Sequence, residues 1–187
     1  SFLADAANNI IRYNTIKGAS TSINTGVIYL NYSGSTKLGI TNNIIDHNNI
    51  TSVSNTARPI NAFYSLGGPS YTTSNLTISN NNFYDFLNLE NNSNGIFLNA
   101  YHENCSIKDN SFYETTNLTS SNTWTYAFIY AVGLMTNGNI ANNYFGGASP
   151  NAQGTFTKVG SNNPFYGIYI SSTNLATGNP NISIQNN

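Results

Sequence analysis

Apolar and polar residues alternate along short stretches of this chain, and the alternation breaks each time at an asparagine pair or its equivalent. LTISNNNF (Leu76 to Phe83) shows the unit most clearly. Close copies stand at LGITNNII (Leu38 to Ile45), CSIKDNSF (Cys105 to Phe112) and GNIANNYF (Gly138 to Phe145), with IIRYNTI at Ile10 to Ile16 and a truncated ISIQNN ending at Asn187. A period of two predicts strands. Asn between them predicts a corner, because it tolerates the left-handed backbone region and bonds to nearby main chain. Aligned on the second Asn, the copies place Asn14, Asn43, Asn81, Asn110, Asn143 and Asn187 in one column. Ile11, Ile40, Ile78, Ile107, Ile140 and Ile184 fall in a second, and Ile16, Ile45, Phe83, Phe112 and Phe145 in a third.

A second pattern lies between the corners: IYLN (Ile28 to Asn31), IFLN (Ile96 to Asn99) and IYIS (Ile168 to Ser171), with looser versions at AFYS (Ala62 to Ser65) and AFIY (Ala127 to Tyr130). One unit is therefore strand, turn, strand, Asn corner, strand and long loop, repeating every 29 to 44 residues. Stacked units of this kind form a parallel β-solenoid, with like columns about 4.8 Å apart and the asparagines forming a ladder of amides. The expectation is an all-β, right-handed parallel β-helix of about five coils over residues 1–187, handedness following the crossover rule. The strand Gly95 to Leu98, its partner Gly167 to Ile170 and the I-x-N-N-x-F corner resemble the repeats of pectate-lyase-like β-helix proteins. That resemblance covers nearly the whole chain. It implies the fold, and leaves lyase, hydrolase, adhesin and fibre all open.

Composition narrows the functions. Only 7% of residues are charged and the net charge is -1, so a nucleic-acid partner is not expected. Polarity comes from 36 asparagines together with Ser and Thr. No apolar run reaches membrane-span length. The lone Cys105, in the column of Leu38 and Leu76, is expected to face the core. The chain begins with Ser and stops inside a corner motif. It is expected to be a piece of a longer solenoid, or to stack on neighbouring copies, since a bare solenoid end exposes unpaired strands.

Candidate chemistry is sparse. If Ile28, Ile96 and Ile168 point inward, the next residues point outward, which predicts an aromatic column of Tyr29, Phe63, Phe97, Phe128 and Tyr169. Such a strip either lies under the loops carrying Tyr71 and Trp124, meets another protein chain, or binds glycans. Four residues after each ladder Asn, a column reads Gly18, His47, Asp85, Glu114 and Gly147. Asp85 and Glu114 on adjacent coils could form a retaining-glycosidase pair at about 5 Å, a Ca²⁺ site or caps of the strand ends. His102 and Glu103 form either a local loop pair or an acid–base pair. The clustered Asp ligands and catalytic Arg of pectate-lyase-like enzymes are missing, and the arginines are Arg12 and Arg58. No Cys/His metal spacing and no cofactor motif occur. Among the N-x-S/T triplets, Asn31, Asn75, Asn91 and Asn117 are the expected glycosylation acceptors. The expected function is a structural or adhesive segment of an extracellular or cell-surface solenoid without catalytic activity. The alternative is a carbohydrate-binding or polysaccharide-degrading β-helix.

Overall fold

The structure, a computed structural model, describes residues 1–3, 5–32, 39–133, 135–171 and 181–187. The expected turn at Ser33 to Lys37 and the expected core position of Leu38 lie outside the described residues. The chain winds as an all-β parallel solenoid with three long faces. The first face stacks Phe2–Leu3, Ile28–Asn31, Asn61–Leu66, Ser93–Asn99, Tyr126–Val132 and Phe165–Ser171. The second stacks Ile10–Arg12, Ile44–Asp46, Thr77–Ser79, Ser106–Lys108, Gly138–Ala141 and Ile182–Gln185. The third stacks Thr15–Gly18, Asn49–Ser52, Asn82–Tyr84, Ser111–Tyr113 and Tyr144–Phe145. Neighbours within each face run parallel. From the first to the last of its five strands the third face winds through four turns, so the solenoid has about four turns where the repeat count suggested five.

The corner between the second and third faces is built by two consecutive residues. The first sits in the left-handed region: Tyr13, His47, Asn80, Asp109, Asn142 and Asn186 have φ between 51° and 57°. The second turns its side chain into the solenoid. These second residues are Asn14, Asn48, Asn81, Asn110, Asn143 and Asn187, and Asn48, Asn81, Asn110 and Asn143 are buried. The amide oxygens of Asn81, Asn110 and Asn143 each accept two bonds from the preceding coil, and that of Asn48 accepts one, from the Asn14 backbone N–H. Asn110 Oδ1, for instance, accepts the Asn81 backbone N–H and Nδ2–H, both at 3.0 Å. Each Nδ2 also donates to an isoleucine carbonyl one coil back, as Asn81 does to Ile45 and Asn110 to Ile78. The amide is thereby satisfied at both ends, which is the condition for burying it without loss.

This ladder corrects the sequence alignment in the second coil. Ile45, not Ile40, pairs with Ile11 and Ile78. Asn48 replaces Asn43, and Ile50 replaces Ile45 beside Ile16 and Phe83. Asn43 serves the preceding corner instead, where its Oδ1 accepts both the N–H and Nδ2–H of Asn9. That column continues as Leu76 and Cys105, both buried, so Cys105 does face the core. An outer amide column accompanies this corner. Asn8, Asn42, Asn75, Asn104 and Asn137 all have positive φ, and they bond to one another in the exposed pairs Asn42–Asn8, Asn75–Asn42 and Asn137–Asn104.

The core is filled by the inward columns Ile45, Ile78, Ile107 and Ile140 and by Phe83 and Phe112, with Ile40 also buried and Phe145 half-buried at the last coil. Phe83 and Phe112 stack at 4.9 Å and 8°. Three strands lie outside the alternating stretches read in the sequence. Asn49–Ser52 belongs to the third face, and Leu118–Ser120 pairs with Lys158–Gly160 between the two longest loops.

The inner and outer amide columns should respond differently to substitution. Asn110→Leu orphans the N–H groups of Asn81 and the Ile78 carbonyl, and should cost at least about 2 kcal/mol in urea unfolding. Asn137→Gly, on the exposed column where only the left-handed backbone matters, should change stability by less than about 0.5 kcal/mol. Equal losses in the two variants would show that the inner column is no better sheltered than the outer.

Candidate functional site

The aromatic column exists, but in a different register from the one read in the sequence. Strand pairing aligns Tyr29, Tyr64, Phe97, Tyr130 and Tyr169 across the first face. Phe63 instead pairs with Ile28 and Ile96 and is fully buried. Phe128 also points inward, against Phe86, Phe112 and Phe145 at 6.0, 5.9 and 5.4 Å. It lies opposite Gly95, where an added Cβ would fall 2.7 Å from the Phe112 ring. Glycine at that position leaves the space that the interior rings fill. In Asn61–Leu66 and Tyr126–Val132 the flanking residues are apolar too, so alternation alone did not distinguish the two sides.

The outward rings form a continuous stack. Phe97 lies 4.8 Å from Tyr130 at 16°, Tyr130 lies 5.0 Å from Tyr169 at 7°, and Tyr166 stacks on Tyr169 at 4.8 Å. Tyr64 meets Phe97 edge-on at 5.3 Å and is itself buried, with Tyr29 5.7 Å beyond. Since the faces of neighbouring rings lie against each other, the stack turns mainly ring edges outward. Exposure rises along it, from the buried Tyr64 through half-buried Phe97 and Tyr130 to Tyr169 at 38%.

Over the open part of this stack lies a groove of about 380 Å³. Phe97, Tyr130 and Tyr169 lie along it, together with Ile23, Trp124 and the amides of Asn91, Asn92 and Asn94. Trp124 is hung by its indole N–H on the Leu89 carbonyl at 3.0 Å. Asn92 Oδ1 accepts the Thr125 N–H at 2.8 Å, and Asn94 Nδ2 donates to Asn61 Oδ1 at 2.8 Å. Tyr71, which was expected on a covering loop, is not among the residues of the groove.

The acidic candidates are in register but are used internally. Pairing of Tyr84 with Tyr113 and Thr51 puts Asp85 beside Glu114 and Ser52, so Ser52 takes the place read as His47. Arg58, distant in sequence, enters from the loop before Pro59 and is buried against both acids. It pairs with Glu114 and lies 3.7 Å from Asp85. Glu114 Oε1 also accepts the backbone N–H groups of Phe86 and Leu87, each at 3.0 Å. Asp85 accepts the Thr115 N–H at 2.8 Å and its hydroxyl. Burial pushes the Glu114 carboxyl up to about 7, against the opposing pull of Arg58. Asn88 donates to the Arg58 carbonyl and accepts from Tyr126, completing a clamp under the loop that carries Asn91 and Asn92. Among the described residues, no group of three acids, histidines or cysteines could hold a metal ion.

His102 and Glu103 form a strand of a small sheet at the corner between the first and second faces rather than a loop. His102 is buried with Nε2 2.9 Å from Ser65 Oγ, and burial holds its ring down at about 4. Burial likewise raises the Cys105 thiol to about 12. A third charged group, Asp46, joins Arg12 and His47 at 3.0 and 2.9 Å. Burial raises its carboxyl, but bonds from Asn80, His47 and Ser79 outweigh this and hold it at about 2. Of the glycosylation candidates, Asn75 and Asn117 are exposed while Asn31 and Asn91 are half-buried, and Asn31 Oδ1 is a buried atom without a partner. No known protein family, curated protein or solved structure matches the chain.

Two buried groups should oppose each other as pH changes. Glu114, raised from 4.5 to about 7, contributes stability that is complete below pH 4.5 and lost as pH rises through 7. His102, lowered from 6.5 to about 4, contributes stability that is complete above pH 6.5 and lost as pH falls through 4. Removing one should expose the other. The melting temperature of Glu114→Gln should fall as pH is lowered from 6.5 to 4, and that of His102→Gln should rise as pH is lowered from 7 to 4.5. Parallel pH profiles for both variants and the parent would contradict this assignment.

Proposed function

We propose that this chain is a non-catalytic segment of an extracellular or cell-surface β-solenoid, structural or adhesive in role, whose working surface is the open end of the first face. The observation that carries this reading is the fate of the acids. Glu114 is closed in by Arg58 and two main-chain N–H groups, and Asp85 is occupied by Thr115. A general acid or a nucleophile has to reach its substrate, and His102, at 2% exposure, does not. The exposed acceptors Asn75 and Asn117 and the scarcity of charge support an extracellular, glycoprotein setting. Neighbouring copies or further repeats remain the proposed partners, because Ile10, Tyr13 and Ile184 on the outermost coils are exposed apolar residues.

The resemblance to pectate-lyase-like proteins makes polysaccharide cleavage the reading to test against. Incubating the chain with a panel of plant, fungal and bacterial polysaccharides should release neither reducing ends nor unsaturated products absorbing in the ultraviolet. Turnover that is abolished in Asp85→Asn or Glu114→Gln, with the folded state verified by circular dichroism, would move the protein into the enzyme class.

A further inference from the structure

We infer that the groove over Phe97, Tyr130 and Tyr169 is a binding site for a neutral hexose oligosaccharide lying along the solenoid axis. The inference rests on reading the first face as a binding surface. It goes further in naming the chemistry of what binds there.

Three observations select that ligand class. The first is charge: none of the described residues lining the groove is a Lys, Arg, Asp, Glu or His. An anionic ligand would leave its hydration shell without a compensating cation, and a cationic one would find no carboxylate. The second is unused hydrogen-bonding capacity. The Asn91 amide, both Nδ2 hydrogens of Asn92, the Oδ1 of Asn94 and the hydroxyls of Tyr130 and Tyr169 make no hydrogen bond within the described residues. Amides and phenols offer donors and acceptors together, and a hydroxyl on every ring carbon requires the same mixture. A purely apolar ligand would leave these groups desolvated and unpaired.

The third observation is shape. The groove, at about 380 Å³, falls in the range of small-ligand sites, about 300–1,000 Å³. A stable protein partner would instead need about 800 Å² from each side. Rings along the groove recur at 4.8 and 5.0 Å, close to the advance of one hexose in an extended chain. Successive sugars can therefore meet equivalent contacts on successive coils. Because the stack turns ring edges outward, it supplies an apolar floor rather than a stacking platform. Trp124, which stacks on no other ring among the described residues, is the aromatic wall, and its indole is held in place by Leu89.

Isothermal titration calorimetry on the whole chain tests this, with cellohexaose, laminarihexaose and mannohexaose as neutral probes and hexagalacturonate as the acidic one. At least one neutral probe should bind, and hexagalacturonate should bind at least about tenfold more weakly, the expected cost of a desolvated unpaired charge. Trp124→Ala should weaken the neutral complex at least about tenfold, as for a central aromatic anchor. Asn91→Ala removes an amide with no structural bond and should weaken it measurably without changing the melting temperature. Tyr84→Ala, on the third face, should leave binding unchanged. Failure of every neutral probe to bind the folded chain, tighter binding of hexagalacturonate, or affinity indifferent to both Trp124→Ala and Asn91→Ala would each overturn the inference. Product release during titration would instead overturn the non-catalytic reading and leave the ligand class standing.

Discussion

A solenoid must turn its chain through a tight corner in every coil, and the backbone groups at that corner have nowhere to go but inward. Here the buried asparagine resolves the difficulty. Its amide accepts from the coil before, and it donates both to the coil after and to the carbonyl of an isoleucine. Every one of these bonds runs between coils, so the amides fix the vertical register as well as the corner. The flanking strands are only two to four residues long on the second and third faces, too short to set register by side-chain packing alone. The Ile and Phe columns on either side fall into line because the asparagines do.

That dependence explains both what the sequence revealed and where it misled. The corner residue types were legible because a left-handed residue followed by an inward amide leaves a mark that few other devices leave. The second coil carries that mark twice, at Asn42-Asn43 and at His47-Asn48, because two corners of that coil use the same chemistry. Coil length does not separate the two, since 34-, 33- and 29-residue spacings all occur along the true ladder. On the first face the misplacement of Phe63 and Phe128 had a different origin. Ala62, Phe63 and Tyr64 are all buried, and so are Tyr126 to Ile129. A strand buried on both sides carries no alternation, and a slip of one residue then exchanges its faces.

The charged site was the least legible part. Asp85 and Glu114 came into register as the column predicted, yet the residue that defines their role is Arg58, which reaches Glu114 from 56 residues earlier. No local pattern marks that approach. With so few charges in the chain, a buried arginine tends to be found by whichever carboxylates share its interior, because leaving either sign unpaired there is far costlier than pairing them. What looked like an acid pair is a neutralised clamp, and its hydrogen bonds to Phe86 and Leu87 hold the base of the loop bearing Asn91, Asn92 and the anchor of Trp124. The candidate catalytic residues thus act on the groove indirectly, by shaping one of its walls.

The same inter-coil spacing that makes the amide ladder possible also governs the aromatic face. At 4.8 to 5.0 Å per coil, outward rings on adjacent strands can lie face to face, which satisfies their apolar faces without help from a loop or a partner. An unstacked column of the same residues would be an apolar strip large enough to demand a cover. Stacking removes that demand, and the rings can remain open to water along their edges and hydroxyls. The open surface left at the last coils is therefore of mixed character, with ring edges below and amides that keep unused donors and acceptors beside. It suits a ligand that is itself apolar on one side and hydroxylated around its rim better than it suits another protein's hydrophobic patch.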